Sequence, residues 1–414
     1  MSSSNRMSTP ELRASLALAS VFGLRLFGMF VILPVFAIYA ETLPGGGNLT
    51  LVGIAIGAYG LTQAILQIPF GWWSDRIGRK PVMYLGLMLF AAGSFVAAAA
   101  PDIYMVIAGR VLQGAGAISA AVMALASDLT REEHRTKSMA MIGSTIGLVF
   151  ALSLAAAPWL NQLIGVPGIF ALTGALAIGA MGVIWRVVPP APLAPDNPQR
   201  QTSTLLADFK SVLANPQLAR LNWGIFALHA VLMALFIAVP FALRDAGVPL
   251  GQHWKIYLPV MLASFVLMLP AVLGAHVPSR LKGWFVASVA LLLAVQLAMP
   301  WFMGGVWEIA LFLLIFFTPF NVLEAMLPSL VSRLAPMQLK GAAIGVYSSV
   351  QFLGAFAGAA AGGFLYGRWG ISGIVVPGAL LLAIWLILAM GMRAPAPHAK
   401  ESTLASQAAG EPAR

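Results

Sequence analysis

Long apolar runs separated by short polar turns make up most of this chain. We distinguish twelve runs, and each comes near or exceeds the roughly 20 residues that a helix needs to cross the hydrocarbon core of a bilayer. The pattern predicts an all-α membrane protein with twelve transmembrane helices. Their approximate bounds are 14–40, 49–72, 81–100, 103–127, 137–162, 166–188, 218–243, 254–275, 283–302, 306–332, 341–366 and 371–392.

A longer polar stretch, 189–217, divides the runs into six and six. It opens with prolines, which prevent a helix and favour an extended chain, and then shows apolar residues at helical spacing. This second part predicts a short interfacial helix. We therefore expect two pseudo-repeated six-helix halves, 1–188 and 218–393, joined by a cytoplasmic linker over 189–217 and followed by a disordered cytoplasmic tail over 394–414.

Composition supports a membrane protein and excludes several other classes. The chain is 60% hydrophobic and 9% charged, whereas soluble domains carry about a quarter charged residues. Cysteine is absent, which excludes disulfides, thiolate nucleophiles and cysteine-ligated metals. The sequence has neither a Walker Lys-Ser/Thr motif nor His-Glu-x-x-His, so an ATP-driven pump and a zinc protease are unsupported. We predict no enzyme activity, no cofactor and no metal.

The positive charges sort to one side when the connections are assigned alternately to the two faces of the membrane. Of 24 Lys and Arg, nineteen fall on one side and three on the other, and two lie within runs. Lys and Arg concentrate in cytoplasmic loops. This predicts an inner-membrane protein with both termini in the cytoplasm, whose net charge of +10 reflects topology and not a nucleic-acid partner.

The connection between the second and third runs carries the most distinctive motif. It reads Gly71-Trp72-Trp73-Ser74-Asp75-Arg76-Ile77-Gly78-Arg79-Lys80, which we interpret as a tight loop on the Lys/Arg-rich side. It resembles the signature of the major facilitator superfamily, Gly-x-x-x-Asp-Arg-x-Gly-Arg-Arg/Lys. The resemblance implies the facilitator fold, with substrate handled between two six-helix halves.

We expect this motif to form a conformational latch together with Asp128. Asp75 is expected to lie against the positive end of the eleventh helix, which begins near Gly341, while Arg79 reaches Asp128. These contacts would hold the cytoplasmic side shut. The predicted latch residues are Gly71, Asp75, Arg76, Gly78, Arg79, Lys80 and Asp128.

Further segments resemble the drug:proton antiporter branch of that superfamily, most closely its YajR-like members. They are 24–34, 109–117 with the pattern Arg-x-x-Gln-Gly, 127–131 and 321–329. Two features depart from the branch: the fifth run has Ala157-Pro158 where Gly-Pro is usual, and we expect no C-terminal soluble domain of the kind that some relatives carry.

Four ionisable residues lie well inside the runs: Arg25, Arg110, His229 and Glu324. Such groups are costly in hydrocarbon and mark functional sites by default, although a packing salt bridge is the alternative. Arginine keeps its proton and cannot carry one across. Glu324, the only acid deep within a run, is the predicted proton-coupling residue, with His229 as a second candidate. The alternative is that both only hydrogen-bond to each other or to Asn321.

Polar residues also recur at helical spacing on four runs, where lipid would reject them. Together they indicate an aqueous cavity, although interhelical hydrogen bonding is the alternative for any single residue. The predicted cavity or substrate residues are Arg25, Tyr59, Gln63, Arg110, Gln113, Asn222, Asn321, Tyr347 and Gln351.

These features together predict a secondary active transporter in the lipid bilayer. The favoured function is proton-coupled efflux of a hydrophobic or amphiphilic small molecule by alternating access. The alternatives are a proton symporter or uniporter for a metabolite, and a non-transporting membrane receptor or scaffold.

Overall fold

A computed structural model describes residues 7–189, 205–275, 277–336 and 339–392. Within these ranges the chain forms thirteen α-helices and one 3-10 helix, Leu250–Gln252. Residues 190–204 of the predicted linker and the predicted tail 394–414 lie outside the described residues. The helices are α1 (Thr9–Phe30), α2 (Leu33–Ala40), α3 (Leu49–Arg76), α4 (Arg79–Ala98), α5 (Ile103–Ala115), α6 (Ser119–Asp128), α7 (Glu132–Val187), α8 (Leu205–Ala214), α9 (Pro216–Asp245), α10 (Trp254–Gly274), α11 (Pro278–Phe302), α12 (Val306–Leu334) and α13 (Lys340–Met390).

Ten helical stretches among the described residues are long and apolar enough to cross a bilayer. Two of them, α7 and α13, are each interrupted by one glycine in the left-handed region: Gly165 has φ 66° and Gly370 has φ 58°. Glycine adopts such angles without the steric cost of a side chain. Each of these helices therefore supplies two spans, and the prediction of twelve spans is confirmed.

The fourth span is made of two helices, α5 and α6, and glycines near their junction bring it close to its neighbours. A Cβ at Gly114 would lie 2.9 Å from the carbonyl carbon of Tyr59, and one at Gly116 would lie 3.1 Å from Phe90 Cβ. These glycines let the span contact α3 and α4 closely. As a result, the last turns of α5 present Arg110 directly to α3.

The loop predicted over Gly71–Lys80 is much shorter than expected. Helix α3 continues to Arg76 and α4 begins at Arg79, so the connection consists of Ile77 and Gly78. The apolar pattern shows where the chain leaves the hydrocarbon, but a helix can continue into the polar interface beyond that point. Helix α3 ends at Arg76, and the chain turns into α4 at Gly78, whose φ is 98°.

The bundle has two ends, which we name by their connections. The basic end carries 77–78 and 129–131, and the opposite end carries 41–48, 99–102 and 246–253. Helix α3 packs against α13, α2 against α9, and α7 against α10, which joins the first six spans to the last six. Helix α8 lies where the apolar spacing predicts a helix, and it packs on α9 and α13. The bounds of the two halves stay a prediction.

Exposed tryptophans occur near both ends of the bundle. Tryptophan is enriched at the two interfaces between membrane and water, and this distribution fits a bundle that spans a bilayer. The basic end has Trp72, Trp73, Trp185 and Trp284, and the opposite end has Trp159, Trp301, Trp307 and Trp369.

Candidate functional site

Two buried guanidinium groups flank the ring of Tyr59. The guanidinium carbons of Arg25 and Arg110 lie 5.6 Å and 5.0 Å from the ring centroid, within the range of cation–π attraction. Neither arginine forms a salt bridge with any residue that the structure describes. This arginine cluster, Arg25, Tyr59 and Arg110, therefore carries positive charge that no carboxylate balances.

Arg110 is fixed in place by hydrogen bonds from all three of its guanidinium nitrogens. It donates to the carbonyls of Ala55 and Ile56, both at 3.3 Å, and to Gln113 Oε1 at 2.8 Å. Gln113 in turn donates to Ser94 Oγ at 2.7 Å. These contacts tie α5 to α3 and α4, so Arg110 has a structural role whatever else it does.

Arg25 differs because one of its donors is unused. It donates to Ser119 Oγ at 3.0 Å and to Gln63 Oε1, and Gln63 donates to Gln67 at 2.6 Å. The Arg25 side chain is buried, yet its Nε has no hydrogen-bond partner among the described residues. A buried donor left without an acceptor costs about 1–3 kcal/mol, which makes this nitrogen a candidate contact for a ligand.

Glu324, Gln351 and His229 form a second cluster, the carboxylate cluster. Gln351 Nε2 lies 3.3 Å from Glu324 Oε1 and 2.8 Å from His229 Nε2. The two predicted proton-coupling residues are therefore bridged by an amide. Glu324 Oε2 and the Tyr347 hydroxyl are shielded from solvent and have no partner within the described part of the chain.

The two predicted asparagines make different contacts. Asn321 Nδ2 donates to Ser264 Oγ on α10 at 2.9 Å, an interhelical bond of the kind that the packing alternative predicts. Asn222 Nδ2 is buried and has no partner among the residues described. Sequence analysis missed Ser264, Ser94 and Ser119, whose only signal is a small polar residue on an apolar run.

The two clusters lie on either side of the contact between α3 and α13. The ring centroids of Tyr59 and Phe352 are 6.4 Å apart, and Phe352 directly follows Gln351. A Cβ at Gly60 would lie 2.8 Å from the Phe352 carbonyl oxygen, so the two backbones nearly touch here. This seam connects the arginine cluster, through Tyr59 and Phe352, to the helix that carries Gln351 of the carboxylate cluster.

Phenylalanine rings form an apolar wall next to the carboxylate cluster. The Phe150 centroid is 4.9 Å from Phe30, 5.9 Å from Phe317 and 6.1 Å from Phe320. Phe320 is also 6.1 Å from the His229 ring. Sequence analysis did not select Phe150, because one phenylalanine in an apolar run looks the same whether it faces lipid or the interior.

Comparison with known proteins decides the family. The profile of the Major Facilitator Superfamily matches residues 18–359, which is most of the chain. The chain belongs to this superfamily. It is therefore a multi-pass membrane transporter and not an enzyme, as the sequence predicts.

The facilitator resembles proteins of known sequence and structure over nearly its whole length. It is 44% identical over 390 residues to the inner membrane transport protein YajR of Escherichia coli (strain K12), covering 94% of this chain and 85% of the relative. It is 22% identical over 351 residues to the quinolone resistance protein NorA of Staphylococcus aureus (strain MSSA476), covering 82% and 86%. A bacterial homologue of the human lysosomal transporter Spinster, inward-facing and occupied, has the same fold, with a TM-score of 0.74 at 14% identity and coverage of 92% and 97%.

The predicted latch residues of this facilitator meet at the basic end. Arg79 Nε lies 3.1 Å from Asp128 Oδ2, and its Nη1 contacts Asp75 and lies 2.9 Å from Ser74 Oγ. Arg79 thus reaches Asp128. The Asp75 side chain is 56% exposed and pairs with Arg79. Its expected position against the start of α13 stays a prediction.

The other motif residues shape the same hairpin. Arg76 stacks over Trp72, with its guanidinium carbon 3.8 Å from the ring centroid. Lys80 donates to the carbonyl of Val188 at the end of the sixth span. Gly71 lies against the face of α6, where a Cβ would meet Ala120 at 3.3 Å.

An ion pair beside this hairpin is not predictable from the apolar pattern, because its acid precedes the first apolar run at residue 14. Glu11 is buried and accepts from Arg131 Nε at 2.9 Å and Arg131 Nη2 at 3.0 Å. The pair ties the start of α1 to the 129–131 connection at the basic end.

The spans close on each other at the opposite end. Arg244 at the end of α9 lies 2.7 Å from Glu41, which follows α2. A Cβ at Gly363 would lie 3.0 Å from Gly53 Cα, so α3 and α13 touch there, whereas a Cβ at Gly341, near the basic end of α13, would meet no described atom within 4 Å. The first and last six spans therefore converge at the opposite end.

Proposed function

We propose that this transporter exports a hydrophobic or amphiphilic small molecule in exchange for protons, by alternating access. The observation that carries the proposal is the carboxylate cluster. Glu324 has one oxygen without a partner among the described residues, and Gln351 links it to His229, so a proton can be bound and released there without breaking a salt bridge to any of them. In the proposed cycle, Glu324 is the proton carrier and His229 a second titrating group.

The orientation follows from the charge distribution. We assign the basic end to the cytoplasm because Lys and Arg concentrate in cytoplasmic loops. With the opposite end closed, this conformation then corresponds to the inward-facing state. Substrate enters from the cytoplasm while Glu324 releases its proton, and a proton taken up from outside resets the carrier.

Two further observations support an amphiphilic substrate. The phenylalanines around Phe150 and Phe320 offer rigid apolar surface beside the carboxylate cluster. NorA, a quinolone resistance protein by name, shares 22% identity with this chain. Both favour export of a drug-like compound over uptake of a sugar-like metabolite.

Transport by the purified protein tests this function directly. In proteoliposomes with an acidic interior, we expect an amphiphilic dye to accumulate inside, because protons leave as the dye enters. A panel of dyes with fixed cationic, anionic or zwitterionic charge avoids trapping by pH alone, and protein-free vesicles and a protonophore are the controls. If every transported dye moves in the same direction as the protons, the protein is a symporter. If dye movement does not depend on the pH gradient, the protein is a uniporter. No movement of any dye would favour a receptor or scaffold.

The latch prediction concerns the other conformation of the cycle. When the basic end closes, we expect Asp75 to approach the positively charged start of α13, a contact that typically contributes about 0.3–2 kcal/mol. Asp75→Asn removes it and is expected to increase the fraction of protein open at the basic end. Distances between spin labels at the two mouths measure this fraction, with Glu308→Gln, an exposed acid in the first turn of α12 at the opposite end, as the control. An unchanged distance distribution would contradict the latch.

A further inference from the structure

The arginine and carboxylate clusters each present one unsatisfied polar atom near the seam between α3 and α13. Arg25 is 2% exposed, and its Nε is a donor without an acceptor among the described residues. Glu324 Oε2 is an acceptor without a donor in the same part of the structure. These two atoms have opposite hydrogen-bonding character and belong to side chains of opposite charge.

A chain of side-chain contacts links the two side chains across the seam between α3 and α13. Arg25 lies over Tyr59, the Tyr59 ring meets Phe352, and the neighbouring Gln351 holds Glu324. Each of the three guanidinium nitrogens of Arg110 donates to a protein acceptor. Arg25 Nε has no acceptor among the described residues, so Arg25 is the guanidinium with a nitrogen left for a ligand.

A buried charge is costly unless it is paired. Arg25 has no protein carboxylate as a partner within the described residues, and its neighbours Ser119 and Gln63 offer only neutral oxygens. A bound anionic group would supply the missing charge and accept a hydrogen bond from Nε. The free oxygen of Glu324 would likewise accept a hydrogen bond from an ammonium group.

We propose that the transported molecule is an amphiphilic zwitterion, with its anionic group at Arg25, its ammonium group at Glu324 and its apolar body against the phenylalanines near Phe150. The proposal rests on the exchange function above. It also explains the coupling, because an ammonium group and a proton compete for the same Glu324 oxygen, so the carrier holds one or the other. The ligand is thereby distinguished from a simple lipophilic cation, which leaves Arg25 unpaired, and from a simple anion, which leaves Glu324 without a donor.

Three naphthalene probes of similar size test the charge requirement: one with an aminomethyl group, one with a carboxylate and one with both. Equilibrium dialysis against the purified full-length protein measures their affinities. We expect the probe with both groups to bind at least tenfold more tightly than either of the others. We expect Arg25→Gln to remove this advantage while leaving the affinity of the amine probe unchanged.

Matched variants separate a binding role from a structural one. Arg25→Lys keeps the charge and is expected to restore part of the affinity for the doubly charged probe. Arg368→Gln removes an exposed arginine that stacks on Phe364 and is expected to change no affinity. Thermal melting of each variant, compared with wild type, reports whether the fold is retained.

The outcomes distinguish this proposal from the proposed function. The zwitterion proposal is overturned if the three probes bind equally or not at all, or if Arg25→Gln does not change the affinity of the doubly charged probe. Export of dye by proteoliposomes can still stand in either case. If the doubly charged probe binds as expected but its binding releases no proton into lightly buffered solution, and no pH gradient moves it, the two-charge site holds and proton exchange fails.

Discussion

Glu324→Gln is expected to abolish gradient-driven accumulation of substrate, while the substrate still binds through its remaining contacts with reduced affinity. Glutamine keeps the shape of the side chain and can still meet Gln351, but it cannot bind and release a proton as a carboxyl does. One proton moving down a gradient of one pH unit supplies about 1.4 kcal/mol, enough for tenfold accumulation. The variant is expected to allow equilibration only. Parallel measurements of uptake into acidic proteoliposomes and of binding across a pH series check this.

The same helix offers a control for this substitution. Glu308 lies exposed in the first turn of α12 at the opposite end, and Glu308→Gln is expected to retain accumulation. We also expect the pH dependence of binding to become flat in Glu324→Gln and to stay normal in Glu308→Gln. Uphill transport with normal pH dependence in Glu324→Gln would show that Glu324 serves packing, as Asn321 does through Ser264.

The sequence predicted the spans well because span length and hydropathy are set by the bilayer and not by tertiary contacts. Charges inside a span are equally visible, since hydrocarbon penalises each of them wherever its partner lies. Arg25, Arg110, His229 and Glu324 could therefore be selected as candidates without a structure. Their role in transport stays a prediction.

The sequence did not predict in the same way which buried polar residues contact each other, or at which end the bundle is closed. Gln351 was one polar residue among several, and nothing local indicated that it would bridge Glu324 and His229. The expected position of Asp75 assumed a closed basic end, whereas this conformation is closed at the opposite end. Two states of one chain share one sequence, so hydrophobic and charge patterns alone do not select between them.

Gly57→Val, at the contact between α3 and α13, is expected to shift the protein toward the state that is open at the opposite end and to stop transport. A Cβ at Gly57 would lie 3.0 Å from the Phe356 carbonyl oxygen and 3.1 Å from Phe356 Cα, so valine does not fit while α3 and α13 touch. Overpacking of this kind costs about 1–3 kcal/mol. That cost changes a two-state ratio by about fivefold to more than a hundredfold.

Single cysteines in this cysteine-free chain report the shift and the orientation together. Ala355, whose Cβ would lie 3.7 Å from a Cβ at Gly60, is buried in the closed seam. In intact cells, we expect a membrane-impermeant thiol reagent to label Ala355→Cys more in the Gly57→Val background than alone. Gly182→Val is the control, because a Cβ there meets no described atom within 4 Å.

Gly47→Cys at the opposite end is expected to react in every background, whereas Gly341→Cys is expected to react only after the cells are permeabilised. The reverse pattern at these two positions would overturn the assigned orientation, whereas unchanged labelling of Ala355→Cys would show that the seam does not open during transport.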